Sequence, residues 1–198
     1  MNDLFNACRY GDMKTVKHLV EHEADVNAKN SYGETVLFPA CLSGNLELVK
    51  YLVEHRADIN AKDKDGRMLL SYACHNGDLN LIEYLVEETE MDVNAKDRYG
   101  QTALVYACDN ACLSEDLELV KYLVEHGADV NVKDINGNTV LPYACFRKNF
   151  ELAKYLVEHG ADVNTKNSRG ETALFYACFR KNFELAKYLV EHGADINV

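Results

Sequence analysis

The stretch Tyr143–Asp162, YACFRKNFELAKYLVEHGAD, returns without a change as Tyr176–Asp195, 33 residues further on. Identity of that length at a fixed offset does not arise from composition, so the chain contains a duplicated unit. Weaker copies of its second half, K-Y-L-V-E-H-x-A-D, stand at Lys50–Asp58 and Lys121–Asp129. A short unit of this kind cannot bury its own apolar faces, and stacking on its neighbours must supply the core. The length of 198 residues therefore counts units rather than independent cores.

Alignment on the duplicated pair divides the chain into units 1–29, 30–62, 63–96, 97–133, 134–166 and 167–198, expected to form one domain. Within 30–62, Gly33 ends a polar turn, where a residue without Cβ takes positive φ cheaply. Thr35 is then expected to cap a short helix through Val36–Cys41, which Gly44 and Asn45 break. Leu46, Leu48, Val49, Leu52 and Val53 follow at helical spacing and predict a second helix. Each unit reads as a turn and two antiparallel helices. The first-helix openings are TVLFPA at Thr35, TALVYA at Thr102, TVLPYA at Thr139 and TALFYA at Thr172. In the third unit Met68 stands where the others have Thr, which predicts a weaker cap, by about 1 kcal/mol.

Three irregularities carry their own expectations. The first unit begins directly at a helix, with Asn2 or Asp3 as its cap. The fourth carries four extra residues within 109–116, read as a first helix lengthened by one turn or a longer surface loop, with a partner-contacting protrusion as the alternative. The last unit still looks like an internal one, its apolar outer face without the polar cap that terminal repeats usually carry, which implies either a fragment or a face covered by something else.

The net charge of -11, from 32 acidic and 21 basic side chains, argues against binding to phosphate backbones or docking on anionic lipid. No nucleic-acid or membrane partner is expected. The N-terminus lacks a basic segment followed by an apolar one, and no run approaches the roughly 18 apolar residues of a membrane span. Six of the seven cysteines, Cys8, Cys41, Cys74, Cys108, Cys145 and Cys178, hold one repeat position directly after an alanine. Stacked helices lie about 10 Å apart, whereas a disulfide needs Cα atoms within roughly 7 Å, so these read as small buried apolar residues. A reducing, cytoplasmic location is expected, with the nucleus open.

Histidines form a second column, His22, His55, His126, His159 and His192, expected in the last turn of each second helix beside the C-terminal dipole. His18–His22 matches H-x-x-E-H, but it differs by one residue from the Y-L-V-E-H of the other units and lacks a third ligand. Cys112 follows Cys108 at helical spacing with no other ligand beside it. No phosphate-binding glycine loop or nucleophile elbow occurs. Carboxylates recur with the frame, and catalysis needs one asymmetric constellation. No catalytic, cofactor or metal residue is assigned, and the chain is read as non-enzymatic.

The 33-residue period, the T-x-L-x-x-A openings and the GADVN exits at Gly127–Asn131 and Gly160–Asn164 together resemble the ankyrin repeat over essentially the whole chain. The histidine of that family's T-P-L-H-x-A motif is absent from every unit. The resemblance implies an all-α solenoid of stacked turn–helix–loop–helix units with short turn or hairpin fingers. It also implies partner-protein binding through a concave face made by the turn tips and first helices. Residues that vary between units there, and are of types enriched at binding hot spots, are Tyr32, Arg67, Arg98, Tyr99, Phe146, Arg147, Arg169, Phe179 and Arg180. The basic members suggest an acidic or mixed-charge partner surface. The alternative is a structural or oligomerising segment of a longer protein that docks or self-associates through the uncapped C-terminal repeat. Tyr72, Tyr106, Tyr143 and Tyr176 read as core packing of the first helices. Asn27, Asn60 and Asn131, each eight residues after a leucine, resemble asparaginyl hydroxylation sites of ankyrin proteins.

Overall fold

A computed structural model describes residues 2–89, 91–114 and 116–197. The chain divides into two compact units, Met1–Arg98 and Tyr99–Val198. The first contains α1 (Asn2–Arg9), α2 (Met13–Glu21), α3 (Leu37–Leu42), α4 (Leu46–Glu54), α5 (Leu69–Asn76) and α6 (Leu79–Glu83), the last continued by a π-helical turn over Tyr84–Glu88. The second contains α7 (Ala103–Ser114), α8 (Glu118–Glu125), α9 (Val140–Arg147), α10 (Phe150–Glu158), α11 (Ala173–Phe179) and α12 (Phe183–Glu191). In each unit every odd-numbered helix packs on the next even-numbered one and on the following odd-numbered one. Phe38, Leu48, Leu52, Leu69 and Ile82 are fully buried in the first core, and Leu104, Leu123, Leu141 and Leu152 in the second.

The even helices start and stop by side-chain capping. Asp12, Asn45, Asp78, Asn149 and Asn182 each accept the backbone N–H three residues on. At the other end His22, His55, His126, His159 and His192 sit at the C-cap, and each ring donates from Nδ1 to the carbonyl four residues back. Each of these carbonyls thus accepts both the backbone N–H and the ring N–H of the same histidine.

The odd helices depart from expectation at their starts. α3 begins at Leu37 with Val36 at the cap position, and the Thr35 hydroxyl is buried without a hydrogen-bond partner. Thr139 makes no side-chain cap bond either, while Thr172 accepts from Phe175 N at 3.3 Å. Met68 therefore loses nothing that Thr35 and Thr139 supply. These threonines are buried, so packing decides where their hydroxyls point. Similarly, α1 starts at Asn2, which places Asp3 inside the first turn instead of at its cap.

The extra residues of the fourth repeat lengthen a helix. α7 has 12 residues against 8 in α9, and Ala111 is buried on its inner side. Asn149 donates to the Ala111 carbonyl at 3.2 Å, tying the added turn to the next repeat. The third repeat is one residue longer than the second, and the π-helical turn at Tyr84–Glu88 absorbs that residue. Met91 N–H then donates to Leu85 O, and the Met91 side chain is buried.

The turns are organised by one acceptor each. Asn30, Asp63, Asp134 and Asn167 accept from the N–H groups two and four residues ahead. Neighbouring tips are joined by a backbone bond, as from Lys64 N–H to Tyr32 O at 2.9 Å and from Ser168 N–H to Asn136 O at 2.8 Å. The fingers are turns, and no strand forms among the described residues. Gly33 has φ +80°, and a Cβ there would stand 2.8 Å from Lys64 N, so both its conformation and the close approach exclude a side chain.

Candidate partner-binding face

In the first unit, Tyr32 projects from its turn with 70% of its surface exposed. Arg67 and Arg98 do not stand open beside it. Arg67 Nε bonds Asp63 at 2.8 Å, and its guanidinium also reaches Asp65 at 3.3 Å. Asp65 in turn holds Arg98 at 2.8 Å. Burial pushes the Asp63 carboxyl up, but hydrogen bonds from Arg67 and Tyr72 and the Arg67 charge hold it below the usual carboxylate range. Tyr72 donates to Asp63 at 2.9 Å and lies under the Arg67 guanidinium.

The second unit repeats this chemistry with other partners. Tyr143 donates to Asp109, a residue of the lengthened helix, and Arg147 bonds both Asp109 at 3.0 Å and the Tyr143 oxygen. Tyr176 donates to Glu171 at 2.6 Å. Tyr72, Tyr143 and Tyr176 are therefore half-buried, with rings packed and hydroxyls bonded to carboxylates, and core packing describes only half of each. Tyr106 is half-buried as well.

Tyr99 and Arg169 are exposed on their turns. Phe146 and Phe179, at the ends of α9 and α11, are exposed by 38% and 64%. Arg180 turns back so that its guanidinium lies 4.7 Å from the Phe146 ring centroid. A cleft of about 360 Å³ opens in this unit, lined by Val105, Asp134, Pro142, Tyr143, Phe146 and Tyr176 among others. Sequence reasoning did not reach the cleft, nor the roles of Asp65 and Asp109. Their arginines lie 33 and 38 residues away, and only the 33-residue repeat spacing between Asp65 and Arg98 hinted at a contact.

The exit asparagines have a structural task. Asn27 Nδ2 donates to Arg56 O at 2.9 Å while its Oδ1 accepts from Asp58 N, and Asn131 makes the same pair with Gly160 and Asp162. A hydroxylase would have to open that clamp. Asn60 N–H donates to Asp58 within its own turn. Among the described residues no group of three or more His, Cys, Asp or Glu side chains could hold a metal. His22 Nδ1 is engaged by the His18 carbonyl. No helix is long and apolar enough to cross a membrane among those residues.

Cysteine burial follows the column except at its end. Cys8, Cys41, Cys74, Cys108 and Cys145 are buried, whereas Cys178 is exposed on α11. Burial pushes the Cys8 and Cys145 thiols up to about 12.

A family model described as ankyrin repeats, three copies, matches residues 2–63, 58–134 and 110–198. The chain belongs to the ankyrin-repeat family. Two solved structures extend this. A chain of the complex between a predatory endopeptidase from Bdellovibrio bacteriovorus and an immunity protein is 28% identical, with a TM-score of 0.83 over 96% of this chain and 98% of that one. The ankyrin repeat domain of Bcl-3, a member of the IkappaB protein family, is 28% identical, with a TM-score of 0.81 over 98% of this chain and 86% of that one. No curated protein sequence matches. Ankyrin repeats are in general protein–protein interaction modules and non-enzymatic scaffolds.

Proposed function

We propose that this ankyrin-repeat chain is a non-enzymatic module that binds a partner protein through its turn tips and the ends of its first helices. The observation that carries the reading is the exposure of Tyr32 and Tyr99 on their turns and of Phe146 and Phe179 at the ends of α9 and α11. Rigid aromatic anchors of this kind lose little entropy on binding. The arginines Arg67, Arg98 and Arg147 come to the partner already paired with carboxylates, so the face offers both signs of charge and suits a mixed-charge surface better than a purely acidic one. Arg169 completes this face.

Comparative affinity capture tests it, with the parent chain, a Tyr99→Ser/Phe146→Ser variant and a Lys121→Ala variant on the second helix. The expected result is a partner retained by the parent and by Lys121→Ala and lost by the double variant, with helical content unchanged by circular dichroism. Retention by the double variant would sink the idea.

A second reading, docking through the outer face of the last repeat, is supported by the exposure of Phe183, Ile196 and Cys178. Light scattering over a range of concentrations separates self-association from docking of another protein.

A further inference from the structure

Tyr72 and Tyr143 hold one repeat position, in the third and fifth repeats, and their surroundings differ at two others. Around Tyr72 the chain fills the space itself. The fully buried Phe38 meets the Tyr72 ring edge-on at 4.9 Å. The Arg67 guanidinium lies 5.4 Å from the centroid of that ring, with Nε 2.8 Å from Asp63 Oδ2. Tyr72 donates to the same oxygen at 2.9 Å. Around Tyr143 both neighbours are smaller and neither is charged. Val105 takes the place in TALVYA that Phe38 has in TVLFPA, and it is only half-buried. Asn138 stands four residues after the turn acceptor Asp134, as Arg67 does after Asp63. Val105, Asp134, Asn138 and Tyr143 all line the cleft of about 360 Å³.

The third repeat therefore carries its own occupant, a guanidinium laid over a tyrosine and bonded to a turn carboxylate. The fifth keeps the tyrosine, the carboxylate and the room, and lacks the guanidinium. Asp134 Oδ1 accepts from the N–H groups of Asn136 and Asn138, while among the described residues its Oδ2 receives only the Asn138 side-chain amide, at 3.3 Å. The tyrosine hydroxyl that Asp63 holds is here turned to Asp109. Of the cations near the cleft, Arg147 is held by Asp109 and Arg180 lies on the Phe146 ring, so neither neutralises Asp134. The volume is at the low end for a ligand pocket and suits one long side chain. Phe146 and Tyr176 add ring faces to its wall, and the net charge of -11 favours a cationic visitor. A guanidinium bonds a carboxylate and stacks on a ring at once, which an ammonium does less well.

We propose that this cleft takes an arginine side chain of the partner protein, its guanidinium bonded to Asp134 and lying over Tyr143 as Arg67 is bonded to Asp63 and lies over Tyr72. The proposal names a partner group for the first reading above and rests on that reading.

The probe is N-acetyl-arginine methylamide, titrated against the full chain and followed through backbone amide signals in NMR. Saturable shifts at Asp134, Asn138 and Tyr143 are expected, with a midpoint on the order of a millimolar. N-acetyl-citrulline methylamide has nearly the same shape without the charge and should bind roughly tenfold more weakly or worse, the worth of a charge-assisted hydrogen bond. Asp134→Asn should weaken the arginine compound by a similar factor. Asparagine holds the same turn at Asn30 and Asn167, so this variant removes the charge and keeps the fold. Asn138→Arg recreates the third-repeat arrangement, fills the cleft from within and should abolish the shifts. Equal binding of the arginine and citrulline compounds, or binding indifferent to Asp134→Asn, overturns the proposal. In the affinity capture described above, loss of the partner by both Asp134→Asn and Asn138→Arg supports it. A partner that both of these variants retain, while Tyr99→Ser/Phe146→Ser loses it, leaves the first reading standing and overturns the arginine proposal.

Discussion

At the residue scale, the four non-glycine residues with positive φ among the described residues mark where side chains work against the backbone. Glu23 and Arg56, at φ 63° and 68°, occupy the repeat position that is glycine at Gly127, Gly160 and Gly193. A Cβ in this left-handed region costs about 1 kcal/mol or more. Arg56→Gly is therefore expected to stabilise by about 0.5–1 kcal/mol, read as a higher urea midpoint at unchanged slope. Asp63 is the opposite case, a side chain whose loss is expensive. It holds a turn, Arg67 and Tyr72 at once, and its carboxyl is almost fully enclosed. Asp63→Ala is expected to cost about 2–3 kcal/mol in urea unfolding, and Asp63→Asn about 1, because asparagine keeps the turn as it does at Asn30 and Asn167. The lowered carboxyl pKa fixes the sign of the pH effect. The stabilisation from Asp63 is present above the ordinary value of 3.8 and fades as pH falls through the lower folded value. Asp63→Asn should therefore flatten the loss of stability below pH 3.8, measured by urea midpoints across that window.

At the element scale, α2, α4, α6, α10 and α12 each start at an Asp or Asn side-chain N-cap, of which sequence reading took Asn45 only as a helix breaker. Asn149 does two things: its Oδ1 caps Leu152 N, and its Nδ2 holds the Ala111 carbonyl. Asn149→Ala is expected to cost about 2 kcal/mol, and Asn149→Asp about half of that, since only the cap survives. Urea unfolding of the two variants side by side checks the ordering. The helix pairs and the polar turns were legible in the sequence, because each follows from local spacing within about 33 residues, whereas the extra residues of the fourth repeat read as a lengthened helix or a longer loop and the structure makes them helix. The cap on α3 was not legible. Thr35 has a capping side chain, but α3 opens one residue later, with Val36 at the cap position, and the Thr35 hydroxyl is buried without a partner.

On the scale of the whole molecule, repeat positions with the same sequence become inequivalent through their neighbours. Thiol labelling should modify Cys178 first, the half-buried Cys112 more slowly, and Cys41 and Cys74 last, since burial pushes those two thiols up strongly. The number of labelled sites over time, by intact mass, reads the order. Val163→Ser and Ile196→Ser change the same repeat position, yet the first should destabilise by about 2 kcal/mol and the second by less than about 0.5.

The amino-acid sequence alone determined the repeat, its helix pairs and its membership of an all-α stacked family, because these depend on periodicities written into neighbouring residues. The tertiary structure decided which charges remain to meet a partner and which aromatic rings lie bare. Arg147 and Arg180 stand in identical twenty-residue surroundings, yet one pairs with Asp109 and the other lies on Phe146. Their difference comes from what the preceding repeat presents to them, a lengthened helix in one case and an aromatic ring in the other.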